Sequence, residues 1–135
     1  MPIMSWSDSY TVNAPELDAQ HEILFKLIND LYDCMKLGQG QQVLGRTLDA
    51  LVSYIVVHFS DEENMLARIK YPDLPEHQLE HDDFVRKVNE FQTDFENGRA
   101  VMTSQVLGFL KDWLVNHIMK SDKKYAGFVK RYLLT

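Results

Sequence analysis

Apolar residues recur along this chain in alternating steps of three and four, and histidine and glutamate interrupt the rhythm at a few places. From Pro15 the stripe reads Leu17, His21, Leu24, Ile28, Leu31, Met35. A second reads Leu44, Leu48, Leu51, Ile55, His58, Glu62, Met65. After Pro75 a third reads His77, His81, Phe84, Val88, Phe91, Phe95, and a fourth reads Val106, Leu110, Trp113, His117. Steps of three and four keep one face of a helix turned inward, as in the seam of a bundle. Pro15 suits an opening turn, and Gly38 and Gly40 end the first helix near Leu37. The Tyr71 to Pro75 segment breaks the second helix, and Asn97 and Gly98 close the third. Short connections between long amphipathic helices make neighbours antiparallel. The expected fold is all-α: an up-down-up-down antiparallel four-helix bundle with no strand. We expect a single domain over 1–135, with an N-terminal arm at 1–14, the bundle at 15–121 and a tail at 122–135 that forms a short helix. Trp6 and Tyr10 are expected to pack the arm across the bundle, and Tyr125, Phe128 and Tyr132 to lay the tail on it.

The interruptions carry the chemistry. His21, His58, Glu62, His77, His81 and His117 all stand at positions that the pattern assigns to the interior. His58 with Glu62 and His77 with His81 are four apart, one above the other on a helix face. A buried glutamate without a partner costs several kcal/mol, on the order of the penalty for an isolated buried charge. At about 1.5 Å of rise per residue, all six lie roughly 25 to 35 Å from the same end of the bundle and so converge on one level. A lone histidine on an apolar stripe is more often a satisfied core residue than a ligand. Five at one level point to a metal site, and five imidazoles with two carboxylates suffice for two ions. Asp122 would be the second carboxylate. Its step of five from His117 is about 140° around an ideal helix, so it reaches the site only if the fourth helix loosens or ends near Lys120 to Asp122. Ligand type alone admits zinc as well as iron.

Composition narrows the remaining choices. The chain has 135 residues, 45% of them apolar, enough for one real core. A formal charge of −6 argues against nucleic-acid binding, with Lys123, Lys124, Lys130 and Arg131 read as a solvated face. The lone Cys34 excludes an internal disulfide. The first ten residues lack the basic start and apolar stretch of an export signal, and the longest apolar run, Tyr54 to Val57, is too short for a bilayer. We therefore expect a cytoplasmic protein without membrane insertion. Met65, Met119, Phe84, Phe91 and Phe95 are read as packing, and Glu63, Asp82 and Asp83 as surface.

Taken together, the DAQH segment at His21, HFSDEENM at His58, YPDLPEHQLEHDDF through both later histidines and WLVNHIMKSDKKY at the end resemble the hemerythrins, single-domain bacterial forms among them. The resemblance covers essentially the whole chain. It implies a non-haem di-iron centre with an oxo or hydroxo bridge, His77, His81 and His117 on one iron, His21 and His58 on the other, and Glu62 and Asp122 bridging both. It also implies reversible dioxygen binding at the iron with one histidine fewer, within apolar walls at Phe59, Trp113, Leu114 and Ile118. The expected role is an oxygen carrier or store that is not an enzyme, with an intracellular oxygen-consuming protein as one conceivable recipient. A ferritin-type oxidase fits less well, because such bundles use Glu-x-x-His pairs and none occurs here. A modest peroxidase or nitric oxide reaction, and a sensor role, stay open. Hemerythrin sensors are usually joined to a signalling domain, and here the bundle, arm and tail are expected to take up the whole chain.

Overall fold

The computed structural model describes residues 4–38, 40–98 and 103–133, and among them there is no strand. Five α-helices follow a short 3-10 turn at Asp8–Tyr10: α1 (Pro15–Lys36), α2 (Gly40–Arg68), α3 (Leu74–Glu96), α4 (Thr103–Asn116) and α5 (Lys123–Leu133). Between α4 and α5 the chain passes without a break through a π-helical segment, His117–Asp122. Helices α1 to α4 make the expected up-down bundle: α1 packs on α2 and α4, and α2 on α3. Rings join α3 to α4, with Phe84 4.2 Å from Trp113 and 5.7 Å from Phe109 between centroids. The ends of the expected arm and tail, residues 1–3 and 134–135, lie outside the described residues.

The element boundaries have local causes. Pro15 opens α1, where its missing N–H is no loss. At the other end Gly38 adopts φ 75°, a left-handed conformation that costs glycine little, and its N–H returns to Met35 O at 3.0 Å. Helix α2 stops differently. Lys70 takes φ 58° without a glycine, its N–H bonds Ala67 O, and the Tyr71 N–H bonds Leu66 O at 2.9 Å. This six-to-one closure turns Tyr71 inward, where it is 7% exposed and its ring meets those of Tyr125 and Phe128. Burial of that ring offsets the left-handed cost at Lys70, on the order of 1–2 kcal/mol.

Two apolar clusters result. The larger, including Leu24, Ile28, Leu44, Leu48, Leu51, Ile55, Phe84, Val88 and Leu110, fills the bundle. A smaller one, including Val12, Leu17, Leu66, Tyr71, Tyr125 and Val129, closes one end beneath α5 and the arm. Leu66, fully buried, takes the inward place expected of Met65, which is half-buried. The arm is fastened by hydrogen bonds as well as rings. Met4 and Asn29 exchange two of them, at 2.8 and 2.9 Å, and Asp18 accepts from Val12 N at 2.9 Å and from Thr11 Oγ1. Trp6 and Tyr10 both pack on Phe25. Over Val43–Arg68, α2 has the length and mean hydropathy of a membrane span. Its inward stripe nevertheless carries His58 and Glu62, and Arg46, Asp49 and Asp61 stand exposed on its outer face. It packs as one helix of the bundle, against α1 and α3.

Candidate metal centre

Between the two apolar clusters lie all seven sequence-selected polar residues: His21, His58, Glu62, His77, His81, His117 and Asp122, each no more than 4% exposed. Helix α1 supplies His21, α2 supplies His58 and Glu62, and α3 supplies His77 and His81. The π segment supplies His117 and Asp122 at its two ends. Its wider turn answers the problem of the five-residue step. The Lys123 N–H bonds Ile118 O, five residues back, and this register brings residues five apart onto one face. The fourth helix loosens without ending, and Asp122 is fully buried beside His117.

The two carboxylates divide their oxygens between two groups of imidazoles. Glu62 Oε1 lies 2.5 Å from His77 Nε2 and 2.9 Å from His81 Nε2, while Oε2 lies 3.6 Å from both His21 Nε2 and His58 Nε2. Asp122 Oδ1 is 3.0 Å from both His77 Nε2 and His117 Nε2, and Oδ2 is 3.2 Å from His21 Nε2. Ligand atoms within 4.8 Å of one another therefore form one group of Glu62, His77, His81, His117 and Asp122 and another of His21, His58 and Glu62. Glu62 belongs to both.

This donor set fits cations better than it fits itself. His81 Nε2 and His117 Nε2 face each other at 3.1 Å, while the Nδ1 atoms of both rings are turned to carboxylates. Two facing lone pairs repel, so either a proton or a shared cation has to lie between these two nitrogens. Both ring nitrogens of His21 and both carboxylate oxygens of Asp122 are buried and, among the described residues, have no properly directed hydrogen bond. Unsatisfied buried polar atoms are rare and costly, about 1–3 kcal/mol each.

Without metal, the cluster holds protons instead. Burial opposes charge on His21, His77 and His117, but the Asp122 and Glu62 carboxylates outweigh it and raise these imidazoles to about 9, about 10 and about 9. At His58 burial prevails and lowers the imidazole to about 4. Burial likewise opposes ionisation of Glu62 and Asp122, but the surrounding imidazoles hold both well below the usual carboxylate range.

Two of the four expected wall residues stack on these donors, and the other two are buried in the larger apolar cluster. Phe59 stacks on His81 with centroids 3.6 Å apart, and Trp113 stacks on His117 at 4.4 Å. Leu114 is 4% exposed and Ile118 is fully buried. The outer partners were not anticipated. Glu63, read from sequence as solvent-facing, is a correction: its side chain is 25% exposed and accepts from His81 Nδ1 at 2.8 Å. Gln20 and Glu80 play comparable parts, and Tyr125 donates to Glu62 Oε2 at 2.9 Å. The placement of Glu63 and Glu80 next to Glu62 and His81 in sequence was the available signal. For Tyr125→Phe, we expect the metal-free protein to lose about 1.5–3 kcal/mol, the usual worth of a hydrogen bond to a charged group. The check is a lower denaturant midpoint at unchanged slope.

Residues 13–129 match the family model described as the hemerythrin HHE cation binding domain. This chain belongs to the hemerythrin family. Among its relatives, a bacteriohemerythrin of Methylococcus capsulatus is 36% identical over 127 residues, covering 93% of this chain and 96% of that protein. A myohemerythrin of Riftia pachyptila is 35% identical, covering 90% of each. A crystal structure of wild-type hemerythrin superposes with a TM-score of 0.84 at 36% identity, covering 93% of this chain and 96% of the other. The cation-binding description of the family agrees with a donor set whose geometry already called for cations.

Proposed function

We propose that this hemerythrin binds dioxygen reversibly at two non-haem iron ions and serves as a carrier or store, folded as one unit from arm to tail. In this reading His77, His81 and His117 hold one ion, His21 and His58 hold the other, and Glu62 and Asp122 span the two. The observation that carries the proposal is the division of each carboxylate, with one oxygen turned to each group of imidazoles. A pair of ferrous ions held there would supply the two electrons that reversible capture of dioxygen requires.

The chain's own residues supply the rest. The imidazoles project from helices and a π segment packed on a continuous core, so their positions are fixed before any ion arrives. Tyr125 directs its hydroxyl proton to Glu62 Oε2 and restrains that carboxylate's rotation. Phe59, Trp113, Leu114 and Ile118 form hydrocarbon walls, which exclude the water and protons that would turn reversible binding into release of peroxide. Five imidazoles against two carboxylates bring less negative charge than the carboxylate-rich ferritin-type sites. Such a balance favours the reduced metal, and with it binding over oxidative turnover. A cytoplasmic location and delivery to an intracellular oxygen-consuming protein accord with this role.

The test follows autoxidation. In the iron-loaded, reduced protein under air, peroxide should appear slowly compared with oxygen uptake. Leu114→Ser, which puts a hydroxyl into the wall, should speed it by about tenfold, equivalent to about 1.4 kcal/mol of barrier. Stoichiometric peroxide on first exposure of the unmodified chain would instead identify an oxidase, and unchanged autoxidation in the variant would remove Leu114 from the wall.

A further inference from the structure

An imidazole that binds a metal through Nε2 presents its Nδ1–H to a partner, and the partners differ between the two groups. On one side, His81 Nδ1–H donates to Glu63 Oε2 at 2.8 Å, and Glu63 is itself fixed by the Gln78 amide at 3.1 Å. His117 Nδ1–H points to Glu80 Oε1 at 3.3 Å, and the Ser121 hydroxyl lies 2.6 and 2.7 Å from the two Glu80 oxygens. On the other side, His58 Nδ1–H donates at 2.6 Å to a neutral group, the amide oxygen of Gln20, whose Nε2 donates to Asp61 at 2.9 Å. Among the described residues, His21 Nδ1 has no hydrogen-bond partner. Carboxylates thus back two of the three imidazoles in one group, and an amide backs one of the two in the other.

We propose that Glu63 and Glu80 make the His77, His81 and His117 position the tighter of the two, so that it fills first, while Gln20 leaves the His21 and His58 position weaker and exchangeable. This rests on the two-cation reading above. The physical cause is charge. A carboxylate draws the Nδ1 proton towards itself and makes Nε2 a stronger electron donor, whereas an amide oxygen does so far less, and partners of this kind change metal affinity by about 10- to 100-fold. Glu63 acts more strongly than Glu80, because its contact is shorter and its side chain is 25% exposed against 45%. The three-histidine side already has one imidazole more, and the outer carboxylates widen that difference. All three are positioning residues: they reach a bound ion only through an imidazole.

The experiment is an anaerobic calorimetric titration of the metal-free full chain with Co(II), which needs no oxygen chemistry. The unmodified chain should bind two equivalents in two resolved steps. Glu63→Gln should weaken the first step by about 10- to 100-fold and Glu80→Gln by about 10-fold or less, with the second step within about threefold of its original value. Gln20→Glu combined with Asp61→Asn, which avoids setting two carboxylates side by side, should strengthen the second step by about tenfold and draw the steps together. A gain of affinity cannot come from misfolding, so this variant keeps the proposal testable if the others are unstable. Two equivalents bound with a first step indifferent to Glu63→Gln, or both steps weakened alike, would overturn the inference and leave the two-cation reading standing. Fewer than two equivalents in the unmodified chain would overturn both.

Discussion

Glu62→Ala is expected to reduce bound iron from two ions per chain to less than one and to abolish the oxygen-dependent visible spectrum. Glu62 is the residue common to both donor groups, and its two oxygens face four imidazoles. Its loss removes a ligand from each ion and the anionic link between them, so the expected drop in affinity exceeds the 10- to 100-fold typical of outer partners. The fold should survive. Alanine is a strong helix former, and the void left in α2 costs about 2–5 kcal/mol in a large-to-small replacement. Glu62→Gln separates shape from charge: it keeps an oxygen for the Tyr125 hydroxyl but loses the anion, and it should be nearly as defective in iron. Iron assay and circular dichroism on the same samples decide the matter. Two ions retained by a folded Glu62→Ala chain would show that the carboxylate is not a ligand to either.

Removal of the metals should make stability sensitive to alkali. In the metal-free protein His21, His77 and His117 are raised to about 9, about 10 and about 9 by the neighbouring carboxylates, against burial. The folded chain therefore binds protons that the unfolded chain has released above about pH 6.5. The stabilisation from these residues is complete below that point and is lost as pH rises through 9 to 10. His58 has the opposite sign: with its imidazole lowered to about 4, its contribution is present above about 6.5 and is lost as pH falls. Glu62 and Asp122, held low, contribute above the ordinary carboxylate range and lose that contribution only in acid. The metal-free chain should thus be most stable near neutrality and weaken between pH 7 and 9.5, by about 2 kcal/mol or more. In the loaded chain the imidazoles are neutral ligands, so the same interval should change little, and the gap in melting temperature should widen with pH. Parallel curves for the two forms would contradict this account.

The stripe of interior positions was legible because a bundle seam imposes a strict spacing, and that spacing exposed His21, His58, Glu62, His77, His81 and His117 as misplaced polar residues. Asp122 was legible only as an anomaly. An ideal helix turns it aside, and no residue among His117 to Asp122 announces a π turn. The wider turn depends on contacts with other helices, including the bond that ties Ser121 to Glu80 of α3. Glu63 fails for a related reason. A division into inside and outside assigns a residue 100° from the seam to solvent, yet in a bundle that direction faces the flank of the next helix, where His81 waits. At the end of α2 the inward step from Glu62 is four, to Leu66 in the second cluster, and not three, to Met65, which only packs against it. Periodicity sees single helices, and these three cases are settled between helices.

The most direct test of the account is an optical cycle on the iron-loaded, anaerobically reduced protein, exposed to oxygen and then returned to argon. Reversible binding predicts a colourless reduced form that gains a charge-transfer spectrum with oxygen and loses it again under argon, over repeated cycles with constant amplitude. A single irreversible conversion accompanied by released peroxide, or no oxygen-dependent spectrum from a chain that retains two irons, would contradict it.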